Sequence, residues 1–132
     1  MLRTLTPNLM VENVSDTVDW YRAVLGFEQM TEVPGEDGSV FAIVRRDEVQ
    51  LMFQLRSSLG DELPDLRAMP IGASQTFYIE VDGVEDLRRT CDGKVRILKD
   101  LHDTFYGTRE FCFSDCNGYI LSFSETIAAD QG

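Results

Sequence analysis

Apolar residues recur along this chain in two rhythms. In the first they fall three or four apart: Val14, Val18, Tyr21 and Leu25 share one face at helical spacing. Ser15 or Asp16 offers a short oxygen side chain to cap the first turn, and Gly26 supplies the left-handed residue that ends a helix. In the second rhythm apolar residues come in short runs bounded by turn formers. These runs predict strands beginning at Leu9 and covering 27–33, 39–45 and 49–55, the last reading VQLMFQL. Pro34, Gly35, Asp37 and Gly38 form one turn cluster, and Arg46-Asp47-Glu48 another. The first part of the chain is therefore β-α-β-β-β.

Residues 56–74 have no period and contain Gly60, Pro64, Pro70 and Gly72. They read as a connecting segment with a helical turn near Leu66, long for a plain loop. The pattern then restarts. QTFYIEVD at 75–82 is a strand, 84–90 a short helix with Gly93 beyond it, and 95–98 a strand. Residues 108–114 and 119–124 form a hairpin around Asp115-Cys116-Asn117-Gly118, where Asn-Gly is a strong turn signal. Val11 and Val81, Val14 and Val84, and Asp16 and Asp86 match at one constant offset, and Leu51 and Phe53 sit like Leu121 and Phe123. The order of elements repeats with them. The expectation is one α+β domain over 1–132, built from a module at about 4–56, a linker at about 57–74 and a further module at about 75–126.

Composition narrows the function. The 132 residues suffice for one domain with a real core, and 43% apolar against 27% charged residues is a globular balance. The net charge of −11 argues against nucleic acid, whose phosphates it repels. It permits a cationic ligand, or serves solubility alone. No run approaches the ~18 apolar residues of a membrane helix, and MLRTLTPNLM lacks a leader's apolar core. The expected location is the cytoplasm, with no membrane partner. Three cysteines, Cys91, Cys112 and Cys116, make an odd set without a CxxC pair, so reduced thiols are expected rather than a disulfide framework. Ser57-Ser58 has no histidine partner in view, and no GxSxG or phosphate-cradling glycine loop occurs.

VENVSDTVDWYRAVLGF at 11–27 and FYGTREFCFSDCNGYILSFSE at 105–125 resemble the vicinal oxygen chelate superfamily, the group of glyoxalases, bleomycin-resistance proteins and extradiol dioxygenases. The stretch at 11–27 is similar to that family's strand, a helix with an aromatic pair, then LGF. The stretch at 105–125 is similar to its closing hairpin with a D-x-N-G turn. The resemblance covers nearly the whole chain. It implies paired βαβββ modules whose curved sheets wrap a cavity, with helices outside, and it implies a homodimer.

Enzymes of this family hold a divalent metal on four cavity-facing strand positions, usually histidine and glutamate, because a dication needs O or N donors of usable charge. By analogy with the motifs, those positions are Thr6, Gln50, Thr76 and Ser122 here. All four are neutral. The single histidine, His102, lies in LHDTFYG, and Glu80, Glu110 and Glu125 miss the four positions. The resemblance thus implies a member with no metal and no other cofactor, closest to the bleomycin-resistance proteins, which sequester a bulky cationic drug and confer antibiotic resistance. The alternative is a lyase, isomerase or dioxygenase of the same superfamily, with a non-standard divalent metal site or with acid–base groups such as Glu80 and His102.

Strand parity nominates the lining. Asn8 and Met10 go with Thr6, Met52 and Gln54 with Gln50, Tyr78 and Glu80 with Thr76, and Ile120 and Ser124 with Ser122. Arg109, Phe111 and Phe113 join them if the hairpin turn is regular, whereas a bulge at Asn117-Gly118 turns them away. Phe105, Tyr106 and Arg109 precede that hairpin, where the family carries an aromatic loop over the cavity mouth. Arg109 either meets a ligand anion or pairs with a neighbouring acid. The ligand-contact candidates are Asn8, Gln50, Met52, Tyr78, Phe105, Arg109, Phe111 and Ser122; at each aromatic, plain core packing is the competing reading. Trp20 and Tyr21 are expected in the core or an interface.

Overall fold

The alternation in VQLMFQL decides which way the first sheet faces. A computed structural model of the chain describes residues 1–127. It divides into two compact units, Met1–Ile71 and residues 72 onward. In the first, β1 (Asn8–Val11) pairs in parallel with β4 (Val49–Leu55), placing Asn8 opposite Met52 and Met10 opposite Gln54. Antiparallel β3 (Gly38–Arg46) and β2 (Glu28–Gly35) complete the order β1-β4-β3-β2. One face carries Leu9, Val11, Ala42, Val44, Leu51 and Phe53, all buried. Helix α1 (Val14–Leu25) lays its buried stripe on this face, and Tyr21 meets Phe53 at a ring distance of 5.0 Å. A side chain buried this fully contributes roughly 1.5–3 kcal/mol.

Asn13, just ahead of the expected caps, starts α1. Its extended backbone lets the side chain accept from the Asp16 amide at 2.9 Å, leaving Asp16 as a favourable first-turn charge. Gly26 ends the helix at φ 69°. The expected linker is partly ordered: α2 (Arg56–Glu62) and a 3-10 turn (Pro64–Leu66) follow β4 directly. Arg56 holds this segment together by donating to the carbonyls of Arg67 and Met69 at 2.8 and 2.9 Å.

The unit from residue 72 onward repeats the order. Strand β5 (Thr76–Glu80) runs parallel to β8 (Ile120–Thr126), with Tyr78 opposite Ser122, and β7 (Thr108–Ser114) and β6 (Arg96–Asp103) complete β5-β8-β7-β6. Helix α3 (Val84–Cys91) covers one face through Val84 and Cys91, and Phe111, Phe113 and Phe123 stack there with ring distances of 5.6 to 5.8 Å. Strand β6 runs past the expected end at residue 98. Register shifts break its alternation, so its polar end reads as a loop although His102 pairs with Glu110. Two mixed four-stranded sheets with three helices among the described residues make an α+β fold, the glyoxalase/bleomycin-resistance arrangement of βαβββ modules. No helix among them is long and apolar enough to cross a membrane.

Candidate functional site

The loop between β7 and β8 sets which side chains share a face. Asp115 donates its amide to the Tyr119 carbonyl at 2.7 Å, and the Asp115 side chain accepts from the amides of Asn117 and Tyr119. Three residues are thereby enclosed, with Gly118 at φ 91°. This is the bulged three-residue loop, one residue longer than the simplest Asn-Gly hairpin. The extra residue puts Ser114 opposite Ile120, Cys112 opposite Ser122 and Glu110 opposite Ser124. Directly opposed residues point to the same side. Glu110 and Cys112 therefore share the helix-free face with Ser122, while Arg109, Phe111 and Phe113 turn toward the α3 side.

Glu110 is the centre of that face. Its residue exposure is 6%, yet its carboxylate sits in a ring of hydroxyls. Tyr78 Oη lies 2.5 Å from Oε2 and Thr108 Oγ1 lies 2.8 Å from it. Tyr106 Oη is 3.1 Å from both oxygens, and Ser124 Oγ is 2.7 Å from Tyr78 Oη. Burial pushes the Glu110 pKa up, but bonds from Tyr78, Thr108, Tyr106 and Ser124 together outweigh it, and the net shift is downward. Burial, followed by the bond to Glu110, holds the Tyr106 phenol above its ordinary value. A concavity of about 420 Å³ opens here, lined among others by Lys99, His102, Phe105, Tyr106, Glu110 and Ser122. That is the size of a small-molecule site. Three rings around Glu110 are exposed: Tyr78 at 53%, Tyr106 at 56% and Phe105 at 100%.

The nominated residues fall into separate places. Tyr78 and Ser122 are cross-strand partners on the helix-free face, and Phe105 lines the concavity with Tyr106, 5.1 Å away ring to ring. Asn8 and Met52 are partners on the corresponding face of the first unit, where Asn8 donates to Gln54 at 2.9 Å and Gln54 to Ser58 at 3.0 Å. Gln50 lies two residues along the same strand, opposite Arg45. Phe111 borders the concavity, but its ring is fully buried against Phe113 and Phe123. Arg109 is engaged by Asp103, at 2.7 Å, and by Glu85 on α3. The shared face expected of Phe111 and Arg109 under a regular turn is thus corrected by the longer loop. Glu110 misses the four ligand positions and is no candidate by the motif alone; counting back through a three-residue loop reveals it.

The metal positions fit no metal. The repeat pairs Asn8 with Met52 and Tyr78 with Ser122, so Met52, rather than Gln50, is the first-unit counterpart of Ser122. With either assignment the donors beside Thr6 and Thr76 are an amide, a thioether or a hydroxyl, which lack the charge a structural or catalytic dication needs. Among the described residues no three His, Cys, Asp or Glu side chains come together in a metal-binding group.

Known structures share this fold. TioX from Micromonospora sp. ML1 superposes with a TM-score of 0.73 at 17% identity, covering 95% of this chain and 99% of that one. A glyoxalase-related enzyme from Clostridium phytofermentans gives 0.74 at 19%, covering 96% and 97%. A bleomycin resistance determinant encoded on the transposon Tn5 gives 0.70 at 18%, covering 95% and 98%. At these identities the likeness is one of fold. No curated protein sequence matches the chain. The family model for the Glyoxalase/Bleomycin resistance protein/Dioxygenase superfamily matches residues 3–123, and the chain belongs to that superfamily.

Proposed function

We propose that this protein binds a small organic cation in the Glu110 concavity without a metal, sequestering it in the manner of a bleomycin-resistance protein. One observation carries the reading: an ionised carboxylate, buried and held by hydroxyls, is flanked by the exposed rings of Tyr78, Tyr106 and Phe105. Ring faces attract cations, by about 0.5–2 kcal/mol each according to how far the cation is desolvated. A fixed negative charge in partly low dielectric adds to that attraction. The net charge of −11 favours the same class of ligand. A homodimer is part of the proposal, as the family resemblance implies.

The competing reading is a lyase, isomerase or dioxygenase of the superfamily. It needs a charged metal ligand set, which Thr6, Gln50, Thr76 and Ser122 do not supply, or a strong base. Glu110, with its pKa lowered, is a weak base. The test is a fluorescence titration of chelator-treated protein with a planar cationic dye such as acridine orange, and with bleomycin. Saturable binding to wild type, weakened about tenfold or more in Glu110→Gln, is the expected result. Binding of neither ligand, or binding indifferent to Glu110, refutes the reading.

A further inference from the structure

We infer that Glu110 fixes the hydrogen-bond polarity of the site, so that it selects cations carrying N–H donors over quaternary cations of the same shape. The inference rests on the cation-binding reading above and goes further, naming the chemical class. It follows from counting protons. An ionised carboxylate only accepts, and each phenol has one proton to give. The 2.5 Å contact to Glu110 Oε2 takes the Tyr78 proton, since a charged acceptor makes the stronger bond. Ser124, 2.7 Å from the same phenol, shares its one proton between that oxygen and the Glu110 carboxylate, so it too is spent inside the cluster. Tyr106 directs its proton between the two carboxylate oxygens. Thr108 gives its own to Oε2 and receives one from Thr104 at 2.7 Å.

With those protons turned inward, the phenol oxygens have only lone pairs left for a ligand. His102 follows the same pattern. Its Nδ1 lies 2.9 Å from the Asp100 carbonyl, which assigns the ring proton to Nδ1 and leaves Nε2 an acceptor in the neutral ring. Lys99, a cation on the same concavity, pairs with Cys112, whereas the strand partner of Glu110 is His102. The Glu110 end therefore offers acceptors and ring faces. An amidinium, guanidinium or primary ammonium satisfies both. A quaternary ammonium meets the rings and the charge but leaves the lone pairs unmatched, which is costly in a partly desolvated site.

The test compares two probes of similar size and equal charge, benzamidinium and phenyltrimethylammonium, by calorimetry or by chemical-shift titration. Wild type is expected to favour benzamidinium by about tenfold or more, the equivalent of one charge-assisted bond. In Glu110→Gln the introduced amide must donate to a phenol, which turns that hydroxyl outward, and the preference should collapse. Tyr106→Phe, at an exposed ring that does not build the core, should narrow it without unfolding the protein. Equal affinity of the two probes for wild type, or a preference unchanged in both variants, overturns the inference while leaving cation binding intact. Failure of both probes to bind removes the reading on which it rests.

Discussion

Tyr78 and Glu110, 32 residues apart in sequence, meet at 2.5 Å on the helix-free face of the sheet formed by β5 to β8. They sit on non-adjacent strands, β5 and β7, with Ser122 and Ser124 of β8 between them. The small hydroxyl side chains on β8 leave room for a tyrosine to reach across to the carboxylate. The contact therefore depends on strand order and on small residues in the middle strand. Tyr78→Phe removes one of the donors that hold the Glu110 pKa down, and so should raise that pKa, readable by carboxyl NMR titration. An unchanged titration contradicts the bonding described here.

Acid stability follows from the same network. Glu110 titrates below its ordinary value of 4.5 in the folded protein. A depressed carboxylate contributes stability that is fully present above the unfolded pKa and is lost as pH falls through the folded value. Wild-type stability attributable to Glu110 should hold from about pH 7 to about pH 5.5 and decline below about pH 4.5. Glu110→Gln should be less stable near neutrality and should lose less on acidification over that window. Glu125 is also depressed, first by its bond from the Gly83 amide, and Asp100 lies at about 2 through its bond from Arg88. The difference between wild type and variant in urea midpoint, measured against pH, isolates Glu110. Parallel curves contradict the assignment.

The start of α3 has no cap of its own. Gly83 is the capping residue and has no side chain, so the Glu125 carboxylate, from β8, accepts from the amides of Gly83 and Val84 at 2.8 and 3.0 Å. Glu125→Ala should lower the melting temperature and speed amide exchange in the first turn of α3. Glu125→Gln keeps an acceptor oxygen and should fall between the two. Equal exchange in all three proteins contradicts the cap.

Gly72 packs against the β7–β8 loop. A Cβ there meets the Gly118 carbonyl carbon at 2.7 Å and the Asn117 oxygen at 2.9 Å, and its φ of 84° is left-handed. Gly72→Ala therefore adds a backbone clash to left-handed strain and should cost about 2 kcal/mol or more. At Gly93, also left-handed, a Cβ meets open space. Gly93→Ala should cost only about 1–2 kcal/mol, from the strain alone. Denaturant unfolding distinguishes the two, and equal losses contradict the close approach.

The fold is legible because its signals are local and repeated. The α1 stripe, Gly26, VQLMFQL and the Asn117-Gly118 hairpin each state their element, and the later module restates the order. What the pattern misses has a different origin. Helix α2 has no apolar period and is held by Arg56 bonds to Arg67 and Met69, which a local pattern does not encode. The end of β6 is recognisable only from its pairing with β7. The site turns on a single residue in a loop. Asn-Gly suits loops of two or three residues, and the choice flips every side chain of β7. That choice replaces Phe111 and Arg109 with Glu110 and Cys112 on the open face.

Metal-independent binding is tested most directly by counting metal and ligand on one sample. Purified, untagged protein is offered nickel, zinc, iron and manganese in turn, bound metal is counted per chain, and the dye titration is run on loaded and chelator-treated portions. Metal well below one equivalent in every case, with superimposable dye isotherms, is the result expected of metal-independent binding. One tightly held metal per chain, with dye binding only in the loaded protein, contradicts it and returns the neutral Thr6, Gln50, Thr76 and Ser122 assignment to question.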